Sequence, residues 1–129
     1  MYTISHAQFS MLRQQAHGAF VSRLAREHKE RFAAYAATFA DASALEADTA
    51  AAIAEAQSKG FLRRDDVRRY ASFWVQYGPG FAERPECRWA AAPLERRDLC
   101  PTLRLDLLDV AERAALGRGN RWHVSQKSR

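Results

Sequence analysis

Residues 65–90 read DDVRRYASFWVQYGPGFAERPECRWA, and the reading of this stretch decides the fold. It holds Trp74 and Trp89, the further aromatics Tyr70, Phe73, Tyr77 and Phe81, and a Gly78-Pro79-Gly80 stop. Asp65 and Asp66 suit the positive end of a helix macrodipole, and Gly-Pro-Gly breaks a helix. A helix is therefore predicted to start between Leu62 and Asp65 and to end at Tyr77. At about 100° per residue, Val67, Tyr70, Ala71, Phe73, Trp74, Val75 and Tyr77 sweep about 200° of its circumference. An ordinary surface helix shows an apolar stripe little wider than about 100°. This helix is thus either sandwiched at the centre of a bundle or turns part of its aromatic face to another protein. Val67, Tyr70, Ala71 and Trp74 lie at the middle of the stripe and are the expected core. Phe73 and Tyr77 lie at its edge and lead through the turn to Phe81 and Trp89, with Arg69 beside Phe73. Arginine and aromatics together have the composition of an interface hot spot, so Arg69, Phe73, Tyr77, Phe81 and Trp89 are the candidate partner-binding residues.

Upstream, Ser5 stands as an N-cap with Gln8 three residues on, and Phe9, Leu12, Ala16, Phe20 and Leu24 recur at helical spacing. This predicts a first helix over residues 6–27. Residues 31–40 read equally well as a continued helix or a packed turn. Leu45, Thr49, Ala52, Ile53 and Ala56 form a second apolar face, with Glu55 and Lys59 as an outward i,i+4 pair and Gly60 as the stop. Downstream, residues 93–98 are expected as a short helix, and Pro101 opens a last one that carries Leu103, Leu107, Val110, Ala111 and Ala114 inward until Gly117 ends it. No alternating segment argues for a strand. The expected fold is all-α, a compact bundle of about four or five helices.

A chain of 129 residues, 47% apolar, is large enough for a single core, here assigned to residues 1–116. The net charge of +5 is concentrated beyond that point. Residues 117–129 contain Arg118, Arg121, Lys127 and Arg129 and no acid, leaving the body at +1. The excess belongs to a short basic tail, expected to be flexible, whereas a groove-reading nucleic-acid domain spreads its cations over a folded face. No specific nucleic-acid partner is expected. The N-terminal sequence has no apolar signal region, and no run approaches the roughly 20 residues a membrane span requires. Cys87 and Cys100 without a secretory signal favour reduced thiols and a cytoplasmic location, with their pairing left open.

No catalytic or metal constellation accompanies these signals. His6, His17 and His28 are spaced by eleven and fall near one line of a helix. Each step, however, rises about 16.5 Å, too far for two of them to share an ion. Cys100 before Pro101 sits where a helix N-cap falls, yet no histidine accompanies it in sequence. The Asp65/Asp66 and Asp106/Asp109 pairs read as helix-start and helix-surface charges. No enzyme activity, cofactor or metal is expected.

The order of these features resembles that of small helical proteins encoded in type VI secretion gene clusters beside adaptor chaperones that load toxic effectors. The likeness covers residues 4–116 and is carried by AIAEAQSKGF, by RDDVRRYASFWVQYGPGF, and by a proline followed by Trp89-Ala90 and a leucine-rich last helix. Leu62 departs from the small polar cap of that family, and the tail lies outside the likeness. The resemblance implies a non-enzymatic co-chaperone that binds an effector adaptor, contacts the effector indirectly if at all, and regulates effector loading. The competing expectation is an immunity protein that blocks a cognate effector. Such plugs are strongly charged, unlike this nearly neutral body. Homo-oligomerisation is left open.

Overall fold

The computed structural model describes the backbone of residues 6–127 and the side chains of residues 7–8 and 10–117. The Ser5 cap, the side chains of His6 and Phe9, and the side chains of the expected tail beyond residue 117 lie outside the described residues. The described backbone is all-α: α1 (His6–Arg31), α2 (Ala33–Ala36), α3 (Ala42–Ser58), α4 (Arg64–Tyr77), α5 (Arg88–Glu95) and α6 (Pro101–Lys127). Two 3-10 turns, Phe81–Glu83 and Pro85–Cys87, lie between α4 and α5, and no strand occurs among the described residues. The chain divides into two units, one up to Ala54 and one from Glu55, with the boundary inside α3.

In the first unit α1 runs one turn beyond its expected end. Its last turn carries Lys29 and Arg31, cations suited to the negative end of the dipole, and Glu27 pairs with Arg31 at 3.6 Å. Phe32 leaves the helix while its N–H still donates to the His28 carbonyl at 2.7 Å, and α2 adds a single turn. Asp41 then caps α3 by accepting from the Ala44 N–H at 2.8 Å. The buried side chains are Phe20, Val21, Leu24, Ala25 and His28 of α1 with Leu45, Thr49, Ala52 and Ile53 of α3, as the periodicity predicts for α3. Ser22 donates to Glu46 at 2.6 Å, and Tyr35 donates to Asp48, whose carboxyl burial pushes upward in pKa.

The second unit begins with the last turn of α3. Gly60 takes φ +96, its N–H donates to the Gln57 carbonyl at 3.0 Å, and the Phe61 N–H reaches back to Ala56 at 3.0 Å. This is a Schellman cap, and its apolar members Ala56 and Phe61 are both fully buried. The helix over Arg64–Tyr77 has the bounds expected of it, and Val67, Tyr70, Ala71 and Trp74 are core. Gly78, at φ +97, closes α4 with an N–H donated to Trp74 at 2.8 Å. A side chain there meets both the strained backbone and the Arg84 guanidinium, 3.1 Å from the Cβ position.

Three expectations fail downstream. The short helix spans Arg88–Glu95 rather than 93–98, so Pro93 sits inside it. Pro93 has no N–H for the Trp89 carbonyl, which removes one bond of the ladder, and the helix ends two residues later at Glu95. The last helix is rotated from its expected facing: Arg104, Leu105 and Leu108 are buried, while Leu103, Leu107 and Val110 are 49%, 39% and 59% exposed. It also runs through Gly117 to Lys127, because Gly117 is not left-handed and acts as an ordinary helical residue instead of a cap.

Candidate functional site

The conspicuous side-chain assembly of the second unit is an aromatic chain. Phe61 and Tyr70 have ring centroids 5.4 Å apart, Tyr70 and Phe81 5.3 Å, Tyr77 and Phe81 6.1 Å, Phe73 and Phe81 6.1 Å, and Tyr77 and Trp89 5.2 Å. These spacings are those of offset and edge contacts, each of which adds to the burial of a large apolar surface. The Gly-Pro-Gly turn exists to bring Phe81 back beneath α4. Gly80 adopts a left-handed conformation, φ +62, and donates its N–H to Glu55 at 2.9 Å.

Glu55 thereby ties three segments together. Its other oxygen accepts from the Tyr70 hydroxyl at 2.5 Å, so the end of α3, the middle of α4 and the turn converge on one half-buried carboxylate. Burial and this acceptor raise the Tyr70 pKa far above the usual phenol range. The expected outward Glu55–Lys59 pair is not made. Lys59 lies 3.5 Å from Glu83 instead.

The five candidate partner-binding residues are brought into one region but differ in access. Phe73 and Phe81 are 4% and 0% exposed and belong to the core, because the turn folds Phe81 under the edge of α4. Arg69 is engaged within the chain, donating to Asp109 at 2.6 Å and meeting Asp106 at 2.9 Å. Tyr77 donates to Glu112 at 2.5 Å, and burial raises its pKa together with that carboxylate. Only Tyr77 and Trp89 keep partly exposed aromatic surface.

Arg104 escaped the sequence reading altogether. It is 4% exposed, donates to the carbonyls of Lys59 at 3.0 Å and Leu94 at 3.3 Å, and lies 4.7 Å above the Phe61 ring. The last turns of α3 and α5 leave carbonyls without helical partners, and one guanidinium answers both. Asp66 is similarly buried at the start of α4, accepting from Thr102 of α6 at 3.0 Å. The signal for Arg104 was a charged residue interrupting an apolar face, which is indistinguishable in sequence from the rim of that face.

Three further features bear on chemistry. Cys87 and Cys100 are both free thiols, and burial pushes the Cys87 pKa upward, away from the reactive thiolate. Among the described residues no three His, Cys, Asp or Glu side chains cluster as metal ligands, and His17 is exposed while His28 is buried. An alanine-walled cleft of about 610 Å³ lies within the first unit, with Phe39 and Leu45 in its lining and Arg26 and Lys29 at its polar side.

Apolar surface reaches solvent on two helices. The described residues of α1 between 7 and 19 are all exposed, Met11 at 59% and Leu12 at 52%, although Leu12 and Ala16 continue the stripe that Phe20 and Leu24 bury. Leu103, Leu107, Val110 and Ala114 form the second exposed face, on α6. No described helix is long and apolar enough to cross a membrane. In comparisons with known proteins, no family model, no curated protein and no solved structure matches the chain.

Proposed function

We propose that this chain is a non-enzymatic protein-binding protein, a co-chaperone that engages an effector adaptor in type VI secretion and regulates effector loading in the cytoplasm. The observation that carries the binding role is α1: one continuous apolar stripe is core at Phe20 and Leu24 and exposed at Leu12 and Ala16. Most helical stability in a protein comes from packing of an amphipathic face, so these unpacked turns are suited to a groove on a partner, with anchors at i and i+4. Tyr77 and Trp89 offer additional aromatic surface. The narrower assignment to an adaptor rests on the resemblance over residues 4–116.

Co-expression with the adaptor of the same gene cluster tests both levels. Leu12→Asp is expected to abolish copurification while leaving helical circular dichroism intact, and Trp89→Ala to weaken it. Copurification unaffected by Leu12→Asp removes α1 as the contact. Absence of any adaptor complex, together with protection of cells from a neighbouring toxin, replaces chaperoning with immunity.

A further inference from the structure

We propose that the exposed face of α6 is a self-association surface, on which α6 of a second copy packs antiparallel. The face is narrow and regular. Leu103, Leu107, Val110 and Ala114 follow one another at spacings of four, three and four, and occupy about 60° of the helix circumference. That alternation is the seam of a coiled coil, in which each residue enters a hole between four residues of the facing helix. Within its own chain α6 is already satisfied on the other side, through Arg104, Leu105 and Leu108. The seam is therefore left over from folding and carries three large apolar side chains in water.

The charges beside the seam choose the occupant. Asp106 and Arg113 flank the same edge, one on each side of the Leu107–Val110 centre, and both are exposed. Antiparallel pairing sets Leu107 against Val110 of the second copy and Leu103 against Ala114 of the second copy. The same register brings Asp106 opposite Arg113 of the second copy, and the two-fold axis repeats that pair. A parallel pairing sets Asp106 against Ala111 and leaves Arg113 without an acid. The face is thus complementary to itself in one orientation, as an isologous interface requires. Asp106 shares Arg69 with Asp109, so Asp109 continues to hold Arg69 when Asp106 turns to the second copy.

Residues 103–114 rise only about 16.5 Å, and such a seam falls short of a standard interface of about 1,600 Å². Pairing is therefore expected to be weak and concentration-dependent. Sedimentation equilibrium of the full chain is expected to show mass rising from 14.6 kDa toward twice that value with concentration. Val110→Glu, on an exposed position, abolishes the rise with unchanged helical circular dichroism. Asp106→Arg and Arg113→Asp each weaken association about tenfold or more when alone, by setting like charges opposite one another. Their equimolar mixture restores it, because every cross-pair is then of opposite sign. Leu12→Asp leaves the dimer intact, which separates this surface from the α1 reading. A monomer at every concentration overturns the proposal, as does association that survives Val110→Glu, that the mixture fails to restore, or that Leu12→Asp removes.

Discussion

His28 shows how a polar residue in a core becomes a pH sensor of stability. Both ring nitrogens are buried without a hydrogen-bond partner, and the ring meets Phe32 edge-on at 5.8 Å. Burial lowers its pKa from 6.5 to about 4, against the smaller raising effect of Glu27. The unfolded chain therefore takes up a proton near pH 6.5 that the folded chain refuses until about pH 4. Unfolding binds a proton in that window, so stability is full above pH 6.5 and falls as the pH drops toward 4, by on the order of 3 kcal/mol. Urea melts between pH 7 and 4 are expected to show this loss, and His28→Leu to remove most of the slope. At Gly78, alanine is expected to cost about 1–2 kcal/mol, since φ is positive and Arg84 occupies the space beside it. Arg104→Met is expected to cost about 2–4 kcal/mol by leaving the Lys59 and Leu94 carbonyls unanswered.

At the scale of the element, α6 gives the sharpest comparison. Leu108→Ala is expected to destabilise by about 2–5 kcal/mol, whereas Leu107→Ala, one residue away, should stay within about 0.5 kcal/mol in the same denaturation assay. A larger cost at Leu107 than at Leu108 would mean that the helix faces the other way. Periodicity alone predicted the reverse facing, because Leu103, Leu107 and Val110 are the more regular stripe and the buried stripe contains an arginine. A burial rule based on hydropathy has no means of knowing that two helix ends elsewhere present carbonyls to be capped. Several local signals were read correctly, although the Gly117 stop was not. The start of α4 at paired acids, its stop at Gly78, the Gly60 cap and the buried line from Leu45 to Ala56 all follow from residues within a few positions. The candidate site was legible only in part. Phe73 and Phe81 are core because a turn of specific handedness returns Phe81 beneath α4, a tertiary consequence that wheel angles do not contain. Pro93 misplaced α5 because a proline was read as a helix start when it lies near a helix end.

At the scale of the whole molecule, the excess charge falls in sequence after the exposed apolar residues Leu103 to Leu116. Truncation after Leu116 takes the net charge from +5 to +1. Weak polyanion binding is expected to depend on salt with a slope no steeper than about −4, one counterion per basic tail residue, and to vanish with that truncation. Retention on a heparin column checks this directly, and binding that survives truncation places cations on the folded body. On the proposed reading, specific recognition falls to the exposed leucines and to Trp89. That division gives Arg104 an importance beyond its two hydrogen bonds. A helix with two apolar faces has two plausible rotational settings, and this guanidinium, held between two helix ends, makes one setting much cheaper than the other. Arg104→Leu would therefore flatten the choice, producing a molecule that folds into a mixture and hides, in some fraction of its copies, the surface that the native chain displays.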